Sequence, residues 1–186
     1  MAPRRLIWGM SAQRVRKMAS SEPNNLCEWK APGISGTEGR LFTCGRPGRA
    51  TYGTQRRRVP DDVIDRWANG LPDAGVLHMV SLLGRKKDGF SEFGYYPFRS
   101  SKEPGSQPTF QEWLDERYGR RFIVHEYPTV DLQGISPDVL STVTRQISKL
   151  LEDNCTVVVI DSAGAERTAR VCEKAGYTRM NRAARG

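Results

Sequence analysis

Eight consecutive residues in the C-terminal part of the chain carry the types and spacing that handle an anion: Asp161-Ser162-Ala163-Gly164-Ala165-Glu166-Arg167-Thr168. The side chains of Ser162, Ala163, Gly164 and Ala165 are small, so backbone N–H groups can turn inward around an oxyanion. A helix opening near Thr168 adds the partial positive charge of its first turn, and Arg167 offers two parallel donors. Ser162 through Arg167 are therefore the candidate phosphate-binding residues. A glycine turn of this kind also serves as a plain connection between strand and helix, so the loop must be read with its surroundings.

The elements that would hold the loop alternate between strand and helix. Cys155-Thr156-Val157-Val158-Val159-Ile160 is a β-branched run that ends at the loop. Upstream, Pro60-Asp61-Asp62 suits a helix first turn, and Val63, Ile64, Trp67 and Leu71 follow at helical spacing. Gly75 introduces the apolar strand Val76 to Leu83. Residues 84 to 108, with Tyr95, Tyr96 and Phe98, read as a long loop of the kind that borders sites. Thr109 and Glu112 have capping-box spacing and open a helix through Trp113, Leu114 and Tyr118 that stops near Gly119. A strand is expected from Arg121 to Tyr127. Ser136-Pro137 starts a helix with Val139, Leu140, Val143, Ile147, Leu150 and Leu151 on one face. Such alternation predicts an α/β fold, a central mostly parallel sheet flanked by helices, with a ligand crevice at the carboxyl ends of its strands.

These pieces have a familiar order. Gly45-Arg46-Pro47, the helix Asp61–Leu71, Gly75-Val76 before Ser81-Leu82-Leu83, Tyr127-Pro128-Thr129-Val130-Asp131, the helix after Ser136-Pro137 and the loop ending S-A-G-x-x-R-T resemble a cysteine-dependent tyrosine/dual-specificity protein phosphatase over roughly residues 41 to 175. In that family the loop reads H-C-x-x-G-x-x-R-S/T. A thiolate attacks phosphorus, the arginine and backbone amides hold the equatorial oxygens, and an aspartate on a separate loop protonates the leaving oxygen. The resemblance assigns phosphate clamping to Arg167, the hydroxyl beside the nucleophile to Thr168 and the general acid to Asp131. No cofactor and no metal are expected, since the cysteines form no C-x-x-C pair and the two histidines are isolated.

The nucleophile position departs from the family. Asp161 stands where the cysteine belongs and Ile160 where the histidine does, and no C-x5-R occurs anywhere in the chain. Phosphocysteine chemistry is therefore excluded. Carboxylate attack by Asp161 would resemble aspartyl-phosphate enzymes, whose D-x-D pattern fails here at Ala163. With Asp161 and Glu166 against Arg167 the loop is net −1, so a phosphate dianion should bind poorly, and better at acid pH. The expected function is a phosphatase-like binding or regulatory module, a pseudophosphatase. Two alternatives stand beside it: a phosphate monoester hydrolase working through Asp161 or a water held by Asp131, and an acetyltransferase-like reading of Glu166 to Arg179. The acyl-CoA loop R-x-x-G-x-G/A of that second family is missing near residues 134–146.

Composition sets the remaining bounds. The 186 residues carry 29 Lys+Arg and 21 Asp+Glu, a net charge of +8. Residues 1–40 are expected to be a basic, poorly ordered extension and 41–186 a single domain. Met1 to Ser21 hold five basic residues and no acid, which suits an organelle transit peptide, a basic arm or a solvated tail. Without a long apolar run no membrane span is expected, and four scattered cysteines fit a reducing, cytoplasmic setting. His78 and His125 lie inside apolar runs and read as packed structural residues rather than metal ligands. The basic clusters Arg56-Arg57-Arg58 and Arg85-Lys86-Lys87 would give weak, salt-sensitive contact with nucleic acid at most. Expected partners are a phosphorylated protein or small phosphate ester. Only 18 residues follow Thr168 (186 − 168), fewer than the family's later helices need, which predicts an incompletely covered sheet face open to a protein partner.

Overall fold

The computed structural model describes residues 26–31, 39–48, 59–84, 105, 108–129 and 134–180. Strand β1 is Cys27–Lys30, β2 Leu41–Gly45, β3 His78–Ser81, β4 Ile123–Glu126, β5 Val157–Asp161 and β6 Thr178–Arg179. Helix α1 is Asp61–Asn69, α2 Phe110–Tyr118, α3 Pro137–Glu152 and α4 Glu166–Lys174, and a 3-10 turn covers Pro72–Ala74. The strands form one sheet in the order β4-β3-β5-β2-β1-β6. The pairs β4/β3, β3/β5 and β5/β2 are parallel, while β1 joins β2 and β6 antiparallel. The expected α/β architecture with a mostly parallel sheet is observed.

Alternation along β5 sorts the core into two layers. Val158 and Ile160 pack with Phe42, Met79, Ile64, Trp67, Phe110 and Leu114 beneath α1 and α2. Val157 and Val159 pack with Leu41, Val80, Val143, Ile147, Leu151 and Val171 beneath α3 and α4. Every residue of β5 is buried, so the central strand reads as a continuous apolar run. The incompletely covered face expected from the short C-terminal part is not found along this strand, because α3 and α4 together fill the second layer. Among the described residues the exposed large apolar side chains are Leu77, Ile123 and Met180, off the central strands.

The helix starts follow local chemistry. Thr109 Oγ1 accepts the Glu112 N–H at 3.0 Å and the Glu112 carboxylate accepts the Thr109 N–H at 2.7 Å, completing the capping box. Ser136 accepts from the Val139 N–H at 3.4 Å ahead of Pro137. The next residue of α2 closes the sheet's outer edge. Gln111 Oε1 accepts the Val124 N–H at 2.6 Å and its Nε2 donates to the Phe122 carbonyl at 2.8 Å. That side chain stands in for one peptide of a neighbouring strand and blunts β4 against further pairing.

Two features depart from the sequence reading. Cys27–Lys30, placed there in the extension, forms β1, whose Trp29 is buried against β2 and donates from Nε1 to Thr43 Oγ1 at 3.0 Å. Helix α4 begins at Glu166 rather than near Thr168. The expected loop 84–108 falls mostly outside the described residues.

Candidate functional site

Because β2, β3, β4 and β5 run in the same direction, their carboxyl ends share one edge of the sheet. Asp161 ends β5 there and continues the alternation of Val157 and Val159 toward α4. The residue is 2% exposed. Oδ1 accepts the Ala163 N–H at 2.9 Å and also the Gly164 N–H, and Oδ2 accepts the Thr168 N–H at 3.2 Å. The N-cap of α4 is Ala165, which has no side-chain acceptor. Asp161 supplies that acceptor from outside the helix, at the third N–H of its first turn, where the helix dipole also favours a negative charge.

The loop keeps this shape through close backbone packing on β2. Gly164 has φ +69°, and a Cβ there would stand 2.2 Å from Gly45 N and 2.3 Å from the Cys44 carbonyl carbon. Only glycine meets both demands. The next residue of that strand end, Arg46, is 2% exposed, and its N–H donates to the Asp161 carbonyl at 2.9 Å. Arg46 belongs to the Gly45-Arg46-Pro47 segment of the resemblance, which by itself does not mark it as a neighbour of the loop. A basic residue directly after a buried strand was the available signal.

Arg167 is buried under the loop at 5% exposure. Its Nε lies 4.0 Å from Asp161 Oδ2, and its Nη1 donates to Thr129 Oγ1 at 2.9 Å and to the Leu82 carbonyl at 3.2 Å. Thr168 is fully buried and its hydroxyl donates to the Ala165 carbonyl at 3.3 Å. Ala163, Ala165 and Glu166 are exposed, and Ser162 and Gly164 half-buried. The structure thus gathers Asp161, Arg167, Thr168 and the loop 162–166 in one place. Asp131 lies outside the described residues, although Thr129, two positions before it, reaches Arg167.

The four cysteines lie at separate places in the fold. Cys44 is the one beside the loop, but burial, and then the charge of Asp161, push its thiol far above the usual range. A thiol held protonated is not a nucleophile. Cys172 is likewise raised by burial, Cys155 lies just before the opposite end of β5, and Cys27 sits on β1. Among the described residues no three His, Cys, Asp or Glu side chains gather in a metal-binding group. His78 and His125 pair with each other across β3 and β4, Nδ1 to Nε2 at 3.3 Å.

No family model matches the sequence, and no curated protein matches it. Solved structures do. A kinase-associated phosphatase carrying serine in place of its catalytic cysteine superposes with a TM-score of 0.53 at 14% identity, over 80% of this chain and 71% of that one. The fold is phosphatase-like. A glycine-to-alanine mutant form of Tk-PTP also matches, with a TM-score of 0.41 at 18% identity, over 78% of this chain and 69% of that one. Within this phosphatase-like fold no helix of the described residues is long and apolar enough to cross a membrane. The segment Glu166 to Arg179, read alternatively as acetyltransferase-like, forms α4, the turn at Gly176 and β6 of the same sheet.

Proposed function

We propose that this chain is a phosphatase-like module that binds or regulates rather than hydrolyses, with the loop 161–168 kept as a structural element. One observation carries the reading: the Asp161 carboxylate accepts the N–H groups of Ala163, Gly164 and Thr168. In the resemblance, a thiolate stands at that position and attacks phosphorus. A carboxylate whose lone pairs are committed to three backbone donors is a poor nucleophile, and it answers internally the loop's demand for an anion. An incoming phosphate dianion meets a like charge. Each pair of like unit charges about 4 Å apart costs on the order of 4 kcal/mol at an effective dielectric near 20, roughly a thousandfold in affinity. Arg167 offsets part of this, and its burial beside Asp161 keeps it within reach of the loop.

The ligands this reading favours are a phosphorylated protein or a small phosphate ester, held weakly. Turnover of a small aryl phosphate by the unaltered chain, Asp161→Cys and the double variant Asp161→Cys/Arg167→Ala tests it. The expected result is no turnover by the unaltered chain, turnover by Asp161→Cys, and its loss when Arg167 is also removed. Equal turnover by the unaltered chain and Asp161→Cys would overturn the reading and favour a hydrolase acting through Asp161 or a water held by Asp131.

A further inference from the structure

The loop's arginine is held by a residue on another strand end. Thr129 Oγ1 donates its one proton to the Leu82 carbonyl at 2.7 Å, which turns its lone pairs to the Arg167 Nη1 donor at 2.9 Å. The Leu82 carbonyl receives the Thr129 N–H at 3.2 Å as well, and Arg167 Nη1 at 3.2 Å. Three donors on one carbonyl exceed its two lone pairs, so the longest contacts are weak. The Thr129 hydroxyl is therefore the stronger of these two holds on Nη1. Three of the parallel strands meet in this knot: β3 through Leu82, β4 through Thr129 and β5 through the loop that leads to Arg167. The backbone of Thr129 also packs closely on Gly84, where a Cβ would lie 2.0 Å from the Thr129 carbonyl oxygen.

We infer that Thr129 is a positioning residue for Arg167, fixing the guanidinium beside Asp161 and tying it to the segment that leads to Asp131. The inference rests on the reading of loop 161–168 as an anion cradle only for its consequence in binding. The hold itself is a matter of geometry. Thr129 is 7% exposed, so valine fills its space while removing both hydroxyl bonds, and serine keeps the hydroxyl while losing the methyl. Gly84→Ala displaces the Thr129 backbone without touching either partner of the hydrogen bond.

Two readouts test it. The first is the Arg167 Nε–Hε signal in the NMR spectrum, with the backbone amide spectrum as the check on folding. Slow exchange is expected in the unaltered chain and in Thr129→Ser, and fast exchange in Thr129→Val and Gly84→Ala. An Arg167 signal unchanged in folded Thr129→Val would overturn the inference. The second is the affinity for inorganic phosphate in an Asp161→Ala background, where adding Thr129→Val should weaken binding about tenfold and Thr129→Ser should restore it. Undiminished phosphate affinity in Asp161→Ala/Thr129→Val would also count against the positioning role. Absence of phosphate binding by Asp161→Ala itself would instead contradict the anion-cradle reading, and the Arg167 signal would still decide the role of Thr129.

Discussion

The carboxylate of Asp161 caps a helix that begins five residues later: Oδ2 accepts the backbone N–H of Thr168 at 3.2 Å while Oδ1 holds the loop between them. A side chain in the position the resemblance gives to a catalytic group is thereby a structural group, and its removal should register in stability. Asp161→Ala leaves three N–H groups, that of Thr168 buried, without this acceptor and removes the carboxylate 4.0 Å from Arg167 Nε. A loss of about 2 to 4 kcal/mol is expected in urea unfolding. Asp161→Asn keeps one acceptor oxygen and should lose about half as much. Equal stability of Asp161→Ala and the unaltered chain would remove the capping role.

Gly164 and Gly176 separate backbone strain from crowding. Both have positive φ, +69° and +86°, but nothing lies within 4 Å of a Cβ at Gly176, whereas one at Gly164 meets the backbone of Cys44 and Gly45. Gly176→Ala should cost about 1 to 2 kcal/mol, the left-handed penalty alone. Gly164→Ala should cost clearly more, because β2 must also give way, and it should perturb the Gly45 amide. Equal unfolding midpoints for the two variants would contradict this packing.

How far the sequence reaches can be judged at α4. Helices α2 and α3 are legible because Thr109 with Glu112, and Ser136 with Pro137, signal their starts within one turn. The start of α4 is not, since Ala165 cannot cap and the acceptor comes from the end of β5. The continuous β-branched run Val157 to Ile160, buried on both faces, makes the central strand readable, and the alternation of strands with helices makes the α/β class readable. The antiparallel strands β1 and β6, of four and two residues, are too short to show a period and exist through the pairing of β1 with β2 on one side and β6 on the other. The loop residues were legible as a motif, while the Thr129 contact with Arg167 spans 38 positions and leaves no local trace.

The two histidines give a pH dependence of definite sign. His78 Nδ1 and His125 Nε2 are 3.3 Å apart while their ring centroids are 5.6 Å apart, so the rings meet end to end through an N–H···N bond rather than face to face. Burial lowers both pKa values below 6.5, and the charge of His78 lowers that of His125 further. The unfolded chain therefore takes up protons at a higher pH than the folded one. The stabilisation is complete above about pH 6.5, the unfolded value, and is lost as pH falls through the lowered folded values. The lowered carboxyl of Asp65, bonded to Arg117, acts in a separate window below its ordinary 3.8. Unfolding midpoints at pH 7.5 and 5 should differ less in His125→Gln than in the unaltered chain. An unaltered difference would show that the pair does not titrate this way.

The central claim is that Asp161 satisfies the loop as its own anion. A titration with inorganic phosphate at neutral pH, followed through the amide signals of Ala163 and Gly164, tests it most directly. The account predicts no movement of these signals in the unaltered chain up to millimolar phosphate, and saturable movement in Asp161→Ala. Saturation of the same amides by micromolar phosphate in the unaltered chain would contradict it.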